Sequence, residues 1–224
     1  MSIPNQIFIG TPWTMRAHYE RFTERLEKFH PLHFVRMGSQ KDRQYSDELF
    51  SLIKNSIRNS GAALFDVTKA NPNVSLEYGF AEGVGVECYI FYCIHKRTQA
   101  NVPGTAIISN LGGKRRIQYT NVNALESELK KFCKNHPFTT KFEVSLKKAF
   151  GRLGKGKKKF YRTLAIKLVH GLDDRDDIDR SVLIGRLSTN YRKADIELVI
   201  KKLHSVGIVN ASVGGHSKVS IKEA

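Results

Sequence analysis

The chain has 224 residues, of which 41% are hydrophobic and 10% aromatic, and its formal net charge is +16. This length allows one large or two small folded domains, and the composition excludes an intrinsically disordered chain. No window approaches the roughly 20 apolar residues that span a bilayer, and the start lacks a signal-type apolar core. We therefore predict a cytoplasmic protein with no membrane partner.

The first 140 residues alternate strands with helices. Apolar runs and helical spacings predict strands at 6–9, 32–35, 62–65, 88–94 and 106–108, and helices at 13–30, 45–59, 74–84 and 123–135. This alternation predicts an α/β fold with a doubly wound, Rossmann-like or flavodoxin-like parallel sheet that is covered by helices on both faces.

One strand-to-helix junction of this domain carries two carboxylates. The apolar run 62–65 ends in Asp66, at the carboxyl end of a buried parallel strand, where open α/β sheets bind ligands. Glu77 follows on the first turn of the next predicted helix. Breaking an N-glycosidic bond builds positive charge on the ribose, so a carboxylate there can stabilise the transition state or attack it. The alternative for Glu77 is an ordinary carboxylate that complements the helix dipole.

Two segments around these residues resemble a known family. They read FIGTPWTMRAHYERFTERLEK from Phe8 and FDVTKANPNVSLEYGFAEG from Phe65, and they resemble the nucleoside 2-deoxyribosyltransferase-like group, which is related in fold to TIR-type NAD-cleaving domains. The resemblance covers about residues 5–135. In that family a glutamate in an E-x-G-x-A context attacks the anomeric carbon, and Glu77, Gly79 and Ala81 match this context.

The resemblance also implies the rest of a substrate site. It makes Asp66 the acidic residue that holds the sugar or base, and thus the second catalytic residue beside Glu77. Apolar or aromatic surface can stack on the base. The substrate-binding residues that we predict are Phe8, Gly10, Thr11, Trp13, Asn71, Asn73 and Tyr78. Because pockets of this family are often shared between subunits, the resemblance implies a homo-oligomer.

Two amides distinguish this chain from the transferases. Asn71 and Asn73 occupy the loop where transferases usually carry a further aspartate, and an amide cannot act as a general acid or base. We therefore predict hydrolysis of NAD or a related nucleotide rather than deoxyribosyl transfer. The alternative is a nucleotide-sensing, DNA-binding regulator without catalysis.

The last third of the chain is strongly basic. Residues 141–224 carry 19 Lys and Arg against 9 Asp and Glu, a balance of +10. Residues 141–157 combine glycines with a cationic run, which predicts a mobile basic linker between a domain at 1–140 and another at 158–224. The cationic run consists of Lys147, Lys148, Arg152, Lys155, Lys157, Lys158 and Lys159.

The segment after this linker resembles a winged helix-turn-helix domain. Helices are predicted at 160–170, 179–187 and 193–205, followed by a β-hairpin of strands 208–213 and 218–221. In that family the third helix enters the major groove and the wing touches the backbone. The resemblance implies nucleic-acid contacts by Tyr191, Arg192, Lys193, Lys201, Lys202, His216 and Lys218. An acidic cluster at 173–179 favours the alternative of a protein-docking module.

The remaining sequence signals predict no metal and no cofactor. Cys88, Cys93 and Cys133 lack metal-type spacing, and reduced core thiols explain them best. The chain contains no P-loop, no zinc spacing and no nucleophile elbow.

Overall fold

Five parallel strands form the main sheet of a computed structural model that describes residues 2–36, 46–68, 71–94, 115–172, 178–212 and 217–222. The strands are β1 (Ile3–Gly10), β2 (His33–Arg36), β3 (Ser60–Asp66), β4 (Glu87–Cys93) and β5 (Arg115–Tyr119). Their order is β2-β1-β3-β4-β5, which is the order of flavodoxin-like sheets. The predicted α/β class and parallel sheet are confirmed. The strand predicted at 106–108 lies outside the described residues, and β5 is the strand that pairs with β4.

Helices cover both faces of this sheet because successive strand residues point to opposite sides. Ile7 and Ile9 join one buried cluster, whereas Phe8 and Phe65 join another on the opposite face. Helix α1 (Arg16–Glu27) and helix α4 (Val122–Asn135) pack on the first face. Helix α2 (Ser46–Asn59) and helix α3 (Pro72–Gly83) pack on the second. A 3-10 turn, Trp13–Met15, precedes α1, so the helix predicted at 13–30 is shorter than expected.

The predicted mobile linker at 141–157 is wrong, since most of it is helical. Helix α5 (Pro137–Phe150) follows α4 directly, and helix α6 (Lys155–His170) begins after a short turn. Phe138, Phe142 and Leu146 recur every four residues and are buried on one side of α5. This apolar stripe drives helix formation, and the lysines and glycines around it obscured the pattern.

The C-terminal part adds two helices and a small antiparallel sheet. The helices are α7 (Arg180–Leu187) and α8 (Lys193–Ser205), and the strands are β6 (Ile178–Asp179), β7 (Val209–Ala211) and β8 (Lys218–Ile221), in the order β6-β8-β7. Antiparallel pairing of β7 with β8 confirms the predicted hairpin strands. The buried face of α8 is the predicted one and consists of Ile196, Val199, Ile200 and Leu203.

One buried cluster joins this C-terminal part to the first face of the main sheet. It runs from Ile7 through Phe142 to Leu203 and Val219. The division into domains and the winged-helix identity stay predictions. Of the acidic cluster at 173–179, residues 173–177 lie outside the described residues, while Asp179 caps α7. In the part of the chain that the structure describes, no helix combines the length and apolar character needed to cross a membrane.

Candidate functional site

The carboxyl end of β1 opens onto a small cavity. Its volume is about 40 Å³, and it is lined by Phe8, Ile9, Thr11, Trp13, Arg16, Tyr19, Arg36 and Glu77. Four of these were predicted as site residues, namely Phe8, Thr11, Trp13 and Glu77. The location agrees with the general rule that open α/β sheets bind ligands outside the carboxyl ends of their strands.

Glu77 reaches across the end of β1 and lies over Gly10. A Cβ atom placed on Gly10 would lie 2.7 Å from Glu77 Oε2 and 2.5 Å from Cδ1 of Phe65, which is closer than nonbonded atoms approach. Position 10 therefore requires glycine, because a side chain there would collide with the Glu77 carboxylate and the Phe65 ring. Gly10 was predicted as a substrate contact, and the structure places it directly against the candidate reacting group.

The Glu77 carboxyl is half-buried and lacks an offsetting charge. Burial raises its pKa from 4.5 to about 7, and no hydrogen bond or charge from a described residue counters that shift. A carboxyl with a pKa near the working pH can change its protonation state during a reaction, and such groups cluster at functional sites. Glu77 is thus the strongest candidate for a reacting group.

Helix α3 fixes the position of Glu77 through its cap and its buried face. The Asn71 side-chain oxygen accepts hydrogen bonds from the backbone N–H groups of Asn73 at 2.9 Å and Val74 at 3.3 Å. The helix then begins at Pro72, so Glu77 lies in its second turn rather than the predicted first. Because helix-dipole effects fade beyond the first turn, the alternative role in complementing the dipole is weakened.

Four predicted substrate contacts are absent from the cavity lining. Gly10 lies against the Glu77 carboxylate beside the cavity, and the other three lie on α3 or at its start. Asn71 uses its side-chain oxygen to cap α3, and Asn73 is exposed on the first turn of that helix. Tyr78 is buried, and its ring meets the Phe65 ring edge-on at a centroid distance of 5.5 Å. These placements give Asn71 and Tyr78 a structural role that the sequence pattern did not distinguish from ligand contact, whereas Asn73 contributes its backbone N–H to the cap.

Two arginines that the sequence analysis missed also line the cavity. The Arg16 guanidinium donates from Nε to Glu20 at 2.6 Å and lies 4.7 Å from the Trp13 ring centroid. Its Nη1 is buried and has no hydrogen-bond partner among the described residues. Arg36 Nη1 donates to the Glu20 carbonyl at 3.1 Å and also to the Thr23 hydroxyl. Two held cations beside the cavity favour an anionic ligand group.

The position of Arg36 offered a signal that sequence reasoning did not use. The residue directly follows the strand predicted at 32–35, so it lies at the same edge of the sheet as Gly10 and Asp66. Arg16 carried a weaker signal, because a cation on the first turn of a helix is common on any protein surface.

Asp66 does not face the cavity as predicted. Its side chain is fully buried and accepts hydrogen bonds from the hydroxyls of Tyr19 and Tyr119, each at 2.8 Å, and from Thr68 N at 2.9 Å. Burial, and then the Asp66 charge, raises the pKa of Tyr19. Asp66 therefore ties α1, β3 and β5 together, and among the described residues Tyr19 links it to the cavity. This geometry assigns it a positioning role rather than direct contact with a sugar.

The predicted nucleic-acid contacts lie on or next to α8 and on β8. The exposed side chains are Arg192, Lys193, Lys201, Lys202 and Lys218, Tyr191 is partly buried, and His216 lies outside the described residues. Arg192 Nε donates to Asp195 at 2.8 Å, and this ion pair partly neutralises the charge of Arg192. Within the described ranges, no group of three or more His, Cys, Asp or Glu side chains could hold a metal ion.

Comparisons with known proteins leave the family open. No family model matches the chain, and no curated protein matches it. Among solved structures, a CMP N-glycosidase of Clostridium botulinum, BcmB, aligns with 55% of this chain and 97% of its own, at 12% identity and a TM-score of 0.38. The resemblance to the nucleoside 2-deoxyribosyltransferase-like group stays a prediction.

Proposed function

We propose that this chain cleaves an N-glycosidic bond of NAD or a related nucleotide, with Glu77 as the reacting carboxylate. One observation carries the proposal. Glu77, whose pKa burial raises to about 7, lines a cavity together with Arg16 and Arg36. A carboxylate for the sugar and cations for a phosphate are the groups that a nucleotide requires.

The proposed reaction begins with cleavage of the bond between C1′ of the ribose and the base nitrogen. The bonding electron pair leaves with the base, and positive charge develops on the ribose. Ionised Glu77 stabilises this charge or bonds to C1′. A water molecule then adds its oxygen to C1′ and releases one proton to solvent, and in the covalent version the bond from C1′ to Glu77 breaks as the carboxylate leaves. Both versions of this step require the ionised carboxylate.

The absence of an assisting acid in the α3 loop supports a particular leaving group. Asn71 and Asn73 cannot protonate a departing base. Nicotinamide leaves NAD as a neutral molecule without being protonated, so its departure needs no acid. NAD therefore fits these residues better than a nucleoside whose base leaves as an anion.

The remaining cavity residues would orient the substrate. Arg16 carries a buried, unpartnered Nη1 that can donate to a phosphate oxygen, and Arg36 provides a second cation. The Trp13 side chain is 52% exposed, which leaves ring surface for stacking on a base. Tyr19, held by Asp66, would keep the wall between the cavity and the core in place.

The alternative function is a nucleotide-sensing regulator that binds without cutting. The size of the cavity favours it, because about 40 Å³ is far below the roughly 300 Å³ of a typical small-molecule site. In this version the C-terminal part is a winged-helix module whose contacts to nucleic acid come from Tyr191, Arg192, Lys193, Lys201, Lys202, His216 and Lys218.

Base release separates the two functions. Purified wild-type chain is incubated with NAD, nucleoside monophosphates and nucleosides, and free base is measured by chromatography. The same assay is run on Glu77→Gln and on a control, Glu24→Gln, whose side chain is exposed on α1. Release by the wild type and the control but not by Glu77→Gln supports the enzyme. No release, with a ligand-dependent rise in melting temperature, supports the sensor, and neither response contradicts both.

A further inference from the structure

Seven cations surround the turn between α5 and α6. All are exposed, and none forms an ion pair with another residue of the described part of the chain. They are Lys147, Lys148, Arg152, Lys155, Lys157, Lys158 and Lys159. Because α5 and α6 are helical here, these charges are held on a folded surface rather than on a mobile segment. We name this set the α5–α6 basic surface.

The α5–α6 basic surface borders a groove of about 410 Å³. The groove is lined by Glu143, Leu146, Lys147, Lys148, Phe150, Gly151, Arg152, Lys158 and Arg162. Glu143 is the acidic member, and Arg162 binds it with both Nη2 at 2.6 Å and Nε at 3.0 Å. Since this pair neutralises itself, four unpaired cations dominate the groove.

The amino end of α6 carries lysines and no acidic residue, which is an unfavourable charge distribution for the start of a helix. Its N-cap is Gly154, which makes no side-chain hydrogen bond, and its first turn contains no acidic residue. Lys155 lies three and four residues from Lys158 and Lys159, so like charges repel each other beside the positive end of the helix dipole. A bound anion would offset both costs, and the adjoining groove provides the space.

We propose that the α5–α6 basic surface binds the phosphate backbone of a nucleic acid. Lysines and an arginine around a groove match a charged strand, because such contacts follow the backbone and release counterions. Phe160, which is 40% exposed, lies next to Lys159 and offers a ring on which a base can stack. The Phe160 ring meets the Tyr191 ring edge-on at a centroid distance of 5.8 Å, so this surface adjoins the contacts predicted next to α8. Its cations are different residues, and it does not depend on the chemistry of Glu77.

A membrane surface fits these helices less well. An interfacial helix needs an exposed apolar face beneath its cationic one. The apolar face of α6 is instead buried in the core through Leu164, Leu168 and Val169. The groove is also concave, which suits a strand better than a flat layer of headgroups.

The test measures binding of the full-length chain to labelled oligonucleotides by fluorescence anisotropy across a salt series. Duplex DNA, single-stranded DNA and single-stranded RNA are compared. The groove variant is Arg152→Gln/Lys155→Gln/Lys158→Gln. A matched variant with the same loss of charge is Lys28→Gln/Lys130→Gln/Lys134→Gln, all of whose sites are exposed on α4 or at the end of α1. Melting temperatures verify that both variants fold.

Each lost phosphate contact removes about 0.9 from the slope of log K against log salt on duplex DNA, and about 0.7 on a single strand. Three lost contacts therefore reduce the slope by about 2 to 3 and weaken binding about a hundredfold or more at 0.1 M salt. The matched variant should keep the wild-type slope. A further variant, Lys193→Gln/Lys201→Gln/Lys202→Gln, tests the surface predicted on α8.

A shallower slope of log K against log salt for the groove variant than for the wild type, on any of the three oligonucleotides, supports the proposal. The oligonucleotide that shows the change identifies the preferred strand. Three results overturn it: equal losses in the groove and matched variants, a slope that falls only in the α8 variant, or a salt-independent wild type. Binding to vesicles containing phosphatidylserine without binding to any oligonucleotide overturns it as well.

Discussion

Replacing Glu77 with glutamine should stabilise the folded chain at neutral and alkaline pH. In the folded state burial raises the pKa of this carboxyl from 4.5 to about 7. Between these two values the folded chain binds a proton that the unfolded chain has released. The free energy of unfolding of the wild type therefore falls as pH rises from 4.5 to about 7, and the loss is complete above that window.

The size of the effect follows from the two pKa values. One pKa unit corresponds to about 1.36 kcal/mol, so the difference between 4.5 and about 7 corresponds to about 3 kcal/mol. Glutamine cannot ionise and escapes this cost. We expect Glu77→Gln to exceed the wild type by about 3 kcal/mol at pH 8 and to match it near pH 4.5.

Urea unfolding at pH 4.5, 6 and 8, followed by circular dichroism, measures these differences. The control Glu24→Gln changes an exposed side chain and should alter the free energy of unfolding by less than about 0.5 kcal/mol throughout. A constant difference between Glu77→Gln and the wild type across this range would refute the reasoning, because it would show that the carboxyl is not ionising in a buried site.

The other predictions concern the groups that hold the site. Gly10→Ala would push a methyl group against the Glu77 carboxylate, so it should cost about 1 to 3 kcal/mol in urea unfolding and abolish base release. Gly79→Ala, with no atom within 4 Å of the added carbon, should instead stabilise α3 by about 0.5 to 1 kcal/mol, and destabilisation there would contradict the packing. Tyr119→Phe removes a donor from buried Asp66 and should cost about 1 to 3 kcal/mol, whereas no change would mean that another group replaces the hydroxyl.

The main sheet was predictable because its signal is local and repeated. Runs such as 62–65 and 88–94 are apolar on both faces, which is the pattern of a parallel strand that is covered on both sides. Helix α8 was predicted with its bounds and its buried face, since Gly207 follows it with a positive φ of 73° and its apolar spacing is regular.

The linker was mispredicted because composition outweighed periodicity. Glycines and lysines at 151–159 are typical of a mobile segment, yet the buried apolar stripe of Phe142, Leu146 and Phe150 leads directly up to it, and α6 begins within it at Lys155. Only contacts distant in sequence reveal this, since α5 packs against the cluster that contains Ile7 and Leu203.

The location of the site was predictable from the sequence, but the roles of its individual residues were not. Asp66 lies at a strand end, which sequence reasoning takes as a ligand position, and nothing local reveals that Tyr19 and Tyr119 occupy its oxygens. The sequence position of Asn71 likewise fits either an amide that lines a pocket or a residue that caps a helix. The hydrogen bond that Asn73 N donates to its side chain shows that Asn71 caps α3. Distances of 47 and 53 residues separate Asp66 from its two tyrosines.

The pH dependence of base release tests the role of Glu77 most directly. The measurement is kcat/KM for base release from NAD between pH 5 and 9, which reports ionisations of the free enzyme. If ionised Glu77 stabilises or attacks the ribose, the value rises about tenfold per pH unit below about 7 and is constant above it. A flat profile, or a Glu77→Gln variant that keeps the wild-type rate, would contradict the assignment.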